Sequence, residues 1–254
     1  MPSNSDISLD KLIALFCGLF VLGVALTLPL FRFDWARFLR SPLYIKIVFW
    51  IPIFLIFLAA LYSPNVGRII ILVLLIVGVC VEVATALRKR SYKFLAVSYL
   101  LLFVVAFGHF YLLGVQYSDI FMQLLVIICF ASVLSDVVAF FCGKYLGRHK
   151  LPKSLNNNKS WEGVAGQILG ALAGMLLVKA FIIPAAPLLL FLPLGVGSAM
   201  GDLVNSFVKR KIGIKDWSRA IPGHGGFLDR LSSLAGSVLL AYYFFQIIQE
   251  TFGS

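Results

Sequence analysis

Long apolar runs recur along the whole length of this chain, broken by short polar segments. Eight runs, at roughly 12–31, 43–62, 69–87, 94–113, 119–142, 162–183, 187–208 and 228–249, are each long enough to cross a hydrocarbon core as a helix of about 20 residues. The pattern predicts an all-α fold, a polytopic membrane helix bundle of about eight transmembrane helices. Pro52 and Pro193 fall inside two of the runs, and prolines inside spanning helices mark kinks that often border cavities. Gly166, Gly170 and Gly174 stand at GxxxG spacing in the sixth run, where small residues let two helices pack closely. No internal repeat or low-complexity segment is visible. With loops of at most about 20 residues, residues 1–254 read as a single membrane domain.

The polar segments alternate in charge. Arg32, Arg37, Arg40 and Lys46 follow the first run; Arg88, Lys89, Arg90 and Lys93 follow the third. Lys144, Arg148, Lys150, Lys153 and Lys159 follow the fifth, and Lys209, Arg210, Lys211, Lys215, Arg219 and Arg230 follow the seventh. Of the 22 Lys and Arg, only Lys11, Arg68 and Lys179 lie elsewhere. The positive-inside rule puts these four loops in the cytoplasm and both termini outside. The alternation also supports eight helices, because one missed helix would break it.

Composition agrees with this picture. The chain has 254 residues, 61% of them hydrophobic and 13% charged, whereas soluble domains sit near one quarter charged. A formal net charge of +11 would suit nucleic acid, but loop orientation accounts for it, so no nucleic-acid partner is expected. Cys17, Cys80, Cys129 and Cys142 lie in or beside apolar runs without CxxC spacing and read as reduced, packed thiols. Asp6 and Asp10 precede Lys11, a poor signal-peptide start, so the first run reads as a retained helix.

Carboxylates inside apolar runs are expensive and mark functional candidates. Glu82, Asp136 and Asp202 qualify. Asp136 and Asp202 each sit roughly 10–12 Å below a cytoplasmic helix end at about 1.5 Å per residue, a shared depth that suggests one cavity opening inward. Ser198, Asp202, Ser206 and Lys209 share one helical face, with Asn205 beside it. The eighth run opens with Asp229, followed on its face by Ser233 and Gly236. Three carboxylates at three helix ends, Asp136, Asp202 and Asp229, amid Lys and Arg, suit a hard divalent cation such as Mg²⁺ with phosphate oxygens as its further ligands. Gly225 and Gly226 would let backbone N–H groups approach an anion.

Structural roles compete for each residue. Asp136 could pair with Lys144 or a neighbouring helix, and Asp202 with a lysine. Glu82 reads as a structural pair with Arg88, His109 as a packed or interfacial histidine, and His149 as solvated. His224 stands apart because Pro222, Gly223, Gly225 and Gly226 constrain the backbone around it.

The stretch "SFVKRKIGIKDWSRAIPGHGGFLDRLS", Ser206 to Ser232, resembles the signature of the phosphatidate cytidylyltransferases, or CDP-diacylglycerol synthases. Ser206, Lys209-Arg210, Lys215-Asp216, His224-Gly225-Gly226 and Asp229-Arg230 stand at the signature's positions. Two more stretches are similar to that family. One is "SDVVAFFCGKYLGRHK", with Asp136, Gly143, Lys144, Gly147 and Arg148; the other is "NKSWEG", with Lys159, Ser160, Glu162 and Gly163. The resemblance covers the chain from about residue 130 onward. It departs at Ser232, where the family signature ends in an acid, and at Asn156-Asn157-Asn158, where the family usually has a Ser-Pro pair.

The resemblance implies an enzyme of phospholipid biosynthesis that converts CTP and phosphatidate to CDP-diacylglycerol and pyrophosphate. Residues 1–118 would be N-terminal scaffold and lipid-side helices, and 119–254 the catalytic helices and loops. The implied catalytic set is Asp202, Asp229, Lys209, His224 and Arg230. The implied substrate-binding set is Asp136, Lys144, Lys159, Ser206, Arg210, Lys215, Asp216, Gly225 and Gly226. Asp202 and Asp229, with Asp136 close by, would hold Mg²⁺, and a second cation and a homodimer are left open. The protein is expected in the cell membrane among membrane lipids, multi-pass, with its site at the cytoplasmic face. Three other readings remain: CTP-dependent transfer or kinase chemistry on another membrane lipid such as a polyprenol, transport of an anionic solute, and an inactive paralogue.

Overall fold

A computed structural model describes residues 7–62, 73, 76–84, 87, 93–152, 155, 158–218 and 225–252, with side chains for all of these except Ala60 and residues 248–252. His224, Arg219, Arg88, Lys153, Asn156, Asn157 and part of the 69–87 run lie outside the described residues.

The described chain is helical, without a named strand, as the apolar runs predict. In chain order the helices are α1 (Leu9–Thr27), α2 (Trp35–Leu39), α3 (Pro42–Tyr62), α4 (76–84), α5 (Lys93–Gln116), α6 (Phe121–Tyr145), α7 (Trp161–Phe181), α8 (Phe191–Ile212) and α9 (Phe227–Phe252). Six helical segments are long and apolar enough to cross a membrane: Leu9–Phe31, Pro42–Ala59, Lys93–Gln116, Ser118–Tyr145, Trp161–Phe181 and Leu188–Ile212. Each falls on a run expected to span. The last run falls on α9, whose first turn carries Asp229 and Arg230.

Two local features depart from the hydrophobic pattern. Residues expected as a plain basic loop contain the short helix α2, capped by the Asp34 side chain, which accepts the Arg37 N–H at 3.0 Å. Pro193 does not kink a helix. A 3₁₀ turn at Leu188–Leu190 precedes α8 and puts Pro193 in the first turn of that helix, where N–H groups have no intrahelical acceptor to lose. Pro52 does sit inside α3.

Buried side chains form two apolar clusters. The larger joins α1, α3 and α5–α9 through residues such as Leu12, Leu61, Leu113, Ile128, Met175, Leu194 and Val238. The smaller gathers Val79 and Val83 of α4, Tyr99 and Phe103 of α5, Val208 and Ile212 of α8, Leu228 and Ala235 of α9, and Trp217. It lies against the segment that leads from α8 to α9.

The glycine spacing in α7 does what it predicts. A Cβ on Gly166 would fall 2.8 Å from the Cys142 Cβ, one on Gly170 would strike the Leu134 carbonyl and Ser135 Cα, and one on Gly174 would lie 2.8 Å from the Ala131 Cα. All four of these neighbours belong to α6, so the stripe is the α6–α7 contact. A second close crossing joins α8 to α9: Gly197 and Gly201 face Gly236 and the Ser232 carbonyl backbone to backbone. These two seams fix α6, α7, α8 and α9 side by side and set the spacing of their polar residues.

Candidate functional site

The polar stripe of α8 faces protein, as its helical spacing requires. Ser198 meets Ser135 of α6, whose hydroxyl donates at 2.9 Å. One turn on, Asp202 is ion-paired through Oδ2 with Lys159 and accepts from Gln167 Nε2 at 3.4 Å. Lys159 Nζ also donates to the Asp202 carbonyl at 3.3 Å. Both side chains keep access to solvent, 28% for Lys159 and 30% for Asp202. Near the helix end, Lys209 Nζ lies 2.5 Å from Asp229 Oδ1 of α9, in a pair only 12% and 3% exposed.

Asp229 does more than pair. Its Oδ2 accepts the backbone N–H of Trp217 at 3.0 Å and of Gly226 at 2.9 Å. One carboxylate thus ties Trp217, shortly after α8, to Gly226, just before α9. The Gly226 N–H, expected to face an anion, is donated to Asp229. Gly225 takes a left-handed φ of 85°, a conformation open to glycine at little cost, and its Cα faces Asp229 and Asp216.

Asp136, on α6, accepts from the Ser233 hydroxyl of α9 at 2.8 Å. Asp202, Arg230 and Lys159 lie within its electrostatic reach, so Asp136 and Asp202 share one polar region, as their equal depth suggests. Lys144 is exposed in the last turn of α6, and no ion pair to Asp136 forms among the described residues. Lys209, Arg210 and Lys211 close α8, where cations suit the helix dipole. Arg210 reaches the Ile214 carbonyl at 3.5 Å. Ser206 is buried beside Asn205, and Lys215 and Asp216 are exposed just after Gly213 ends the helix.

The "NKSWEG" stretch has a local architecture of its own. Ser160 caps α7 by accepting the Gly163 N–H at 3.2 Å. Glu162 accepts the His149 N–H at 3.0 Å and contacts its Nδ1 at 2.6 Å. His149 is exposed, as expected, but paired. Lys159 is left pointing at Asp202. His109 is packed against Tyr242 and Tyr243, with Nε2 3.1 Å from the Tyr243 hydroxyl, and all four cysteines are free.

Several participants carry no strong sequence signal. Trp217 donates its indole N–H to Asn205 Oδ1 at 2.7 Å, and Asn205 Nδ2 in turn reaches the Ser232 hydroxyl at 3.3 Å. The neutral Ser232 is thus matched by a neutral amide. Gln167 is similarly unremarkable in the sequence. Lys46, near the start of α3, lies within electrostatic reach of Arg230, Asp216 and Lys215, so the N-terminal helices also bring a cation here. Its place in a basic segment was the only available hint.

Tyr99 stacks flat on Trp217, with ring centroids 5.5 Å apart at 5°. Its hydroxyl is buried without a hydrogen-bond partner among the described residues, a loss of about 1–3 kcal/mol for a group that water would satisfy. Tyr99→Phe is therefore expected to hold or raise the unfolding midpoint in detergent. A clear destabilisation would mean that the hydroxyl has a partner.

A divalent cation has a restricted choice of ligands. No group of three His, Cys, Asp or Glu side chains converges among the described residues. Both oxygens of Asp229 are committed to Lys209, Trp217 and Gly226. Asp202 keeps Oδ1 and Asp136 keeps Oδ2 without a hydrogen bond among the described residues. Such a pair fits Mg²⁺, which takes one or two carboxylates and completes its shell with water and phosphate oxygens.

Fold and site together define a multi-pass helical membrane protein with lysine–carboxylate pairs gathered at one end of four adjacent helices. The chain belongs to the cytidylyltransferase family, whose family model matches residues 12–248. Among curated relatives, the phosphatidate cytidylyltransferase of Brucella abortus biovar 1 (strain 9-941) is 42% identical over 131 residues, covering 49% of this chain and 48% of the relative. The phosphatidate cytidylyltransferase of Mycobacterium leprae (strain TN) is 40% identical over 115 residues, covering 44% of this chain and 37% of the relative. That of Mycobacterium tuberculosis (strain ATCC 25618 / H37Rv) is 36% identical over 115 residues. The chain spans about half the length, or less, of the curated relatives it matches.

Proposed function

We propose that this protein transfers the cytidylyl group of CTP to phosphatidate, giving CDP-diacylglycerol and pyrophosphate for phospholipid synthesis. The observation that carries this is the pairing of Lys159 with Asp202 and of Lys209 with Asp229 on neighbouring helices, in a chain of the cytidylyltransferase family. A lipid phosphate oxygen attacks the α-phosphorus of CTP. One P–O bond forms, the bond to the bridging oxygen of the β-phosphate breaks, and pyrophosphate leaves with the electron pair.

The nucleophile is already anionic, so no strong base is needed, and the protein contributes position and positive charge. Lys159 and Lys209 are held by carboxylates and are ready to meet phosphate oxygens. Lys46, Lys215, Arg210 and Arg230 extend the positive rim, and His224 completes the signature's set. Asp229 holds the signature segment in shape. Mg²⁺ would be held by Asp202 with Asp136, with Asp229 joining only if Lys209 moves to substrate. When bound, the ion would neutralise charge on the triphosphate. The site belongs at the cytoplasmic face of the cell membrane, where CTP arrives from water and the lipid headgroup lies alongside.

The test is purified protein in detergent with Mg²⁺, phosphatidate and CTP labelled at the α-phosphate. Label is expected in the extracted lipid as CDP-diacylglycerol. Transfer of a γ-phosphate to a polyprenol, or solute flux in vesicles without nucleotide chemistry, would overturn the proposal.

A further inference from the structure

Glu82 lies on α4, in the half of the chain where the family signature does not reach, and only 1% of it is exposed. Its neighbour in sequence suggested a pairing with Arg88, which lies outside the described residues. Among the described residues no Lys, Arg or His is ion-paired with it. Instead it is surrounded by donors from the signature segment. Oε1 accepts the Ser218 hydroxyl at 2.7 Å and the Phe227 N–H at 2.5 Å, while Oε2 accepts the Leu228 N–H at 2.9 Å.

These two N–H groups belong to the first turn of α9, where the helix supplies no acceptor of its own. A carboxylate accepts through both oxygens and has no proton to misdirect, and a negative charge suits a helix N-terminus. Glu82 therefore closes the start of α9 from outside its own sequence. The next two residues of that turn are Asp229 and Arg230.

Gly226 completes the arrangement. A Cβ there would lie 2.7 Å from the Glu82 Cδ and closer still to Oε1. The second glycine of the signature pair thus leaves room for Glu82, while the first supplies the left-handed turn. Asp229 binds Trp217 and Gly226, and Glu82 binds Ser218, Phe227 and Leu228. Two carboxylates from opposite halves of the chain therefore fasten the same two ends of one segment.

We infer that Glu82 is a positioning residue for the proposed transfer: it fixes the first turn of α9 and so sets the direction of Asp229 and Arg230. The inference rests on the proposed cytidylyl transfer for its kinetic consequence but not for its structural one. A group misplaced by about 1 Å costs on the order of a hundredfold in rate. Glutamine in place of Glu82 keeps the shape but turns an NH₂ toward a donor.

The test compares wild type with Glu82→Gln, Glu82→Asp and Gly226→Ala, all as the full chain in detergent. Two readouts are taken: kcat and KM for CTP in the lipid-labelling assay, and hydrogen–deuterium exchange of the peptide containing Phe227 and Leu228. Glu82→Gln is expected to lower kcat by about tenfold to a hundredfold with KM changed less than about threefold. Exchange at the start of α9 should rise while that of α6 and α7 stays as in wild type. Gly226→Ala should reproduce both effects with the glutamate intact, and Glu82→Asp, which keeps the charge, should recover part of the loss. Unchanged exchange in Glu82→Gln would overturn the inference, as would a loss of protection throughout the chain with wild-type kcat in the folded fraction. If wild type itself labels no lipid, the proposed function fails, and the exchange readout still decides whether Glu82 fixes α9.

Discussion

Exchanging Asp229 for alanine is expected to abolish lipid labelling and to lower the unfolding midpoint in detergent together. The carboxylate has three partners: Lys209, the Trp217 N–H and the Gly226 N–H. Removing it leaves Lys209, only 12% exposed, without an ion-pair partner among the described residues. Breaking a buried pair from one side costs about 3–5 kcal/mol, and each orphaned donor adds about 1–3 kcal/mol, although such losses do not sum. At 1.36 kcal/mol per factor of ten in rate, a loss of about 3–5 kcal/mol in the transition state would cost about a hundredfold to several thousandfold.

A second substitution separates the two effects. Lys209→Met in the Asp229→Ala background removes the stranded cation, and replacing a buried pair by apolar groups is often neutral. Stability should partly return while lipid labelling stays absent. Recovery of labelling in the double variant would mean that the pair serves the fold alone.

Gly236→Ala carries the second large effect. A Cβ there would strike the Gly197 carbonyl oxygen and lie 3.0 Å from the Gly201 nitrogen. Both are backbone atoms of α8, so no flexible side chain can yield, and the helices must part. Overpacking of this kind costs about 1–3 kcal/mol where side chains adapt; against backbone about 3 kcal/mol or more is expected. The seam also separates Asp202 and Lys209 on α8 from Asp229 and Ser233 on α9. Thermal unfolding and lipid labelling should therefore fall together, whereas Gly108→Ala, with open space around its Cα, should change neither.

The helical architecture was legible because a spanning helix is written as a continuous local run of apolar residues, and the six apolar helices lie where those runs do. The α6–α7 contact was legible for a similar reason: Gly166, Gly170 and Gly174 repeat at the period that keeps them on one face. The stripe from Ser198 to Lys209 also declared itself through its spacing. Pro193 misled because its effect depends on where the helix starts, and the 3₁₀ turn before α8 moves that start past Leu190. The helix α2 was hidden because five residues are too few to show a period.

Partners were the least legible part of the site. Sequence spacing put Asp202 and Asp229 near lysines, but which lysine meets which acid depends on helix packing. Glu82 reaches residues 145 and 146 positions further along the chain, partners that no local spacing points to. Trp217 was silent, and Asn205 showed only as a flank of the polar stripe, because one hydrogen bond between a loop and a helix leaves no periodic trace. The Gly225-Gly226 pair was recognisable as a backbone feature, yet its two glycines meet different demands, a left-handed turn and space for a buried carboxylate.

The most direct measurement is the transfer of α-phosphate label from CTP to phosphatidate by the purified chain, with pyrophosphate counted in the same reaction. One pyrophosphate is expected per CDP-diacylglycerol formed, with loss of both products in Asp202→Asn and Asp229→Asn preparations that keep their helical content. Lipid labelling that survives both substitutions, or release of pyrophosphate without labelled lipid, would contradict the proposed transfer.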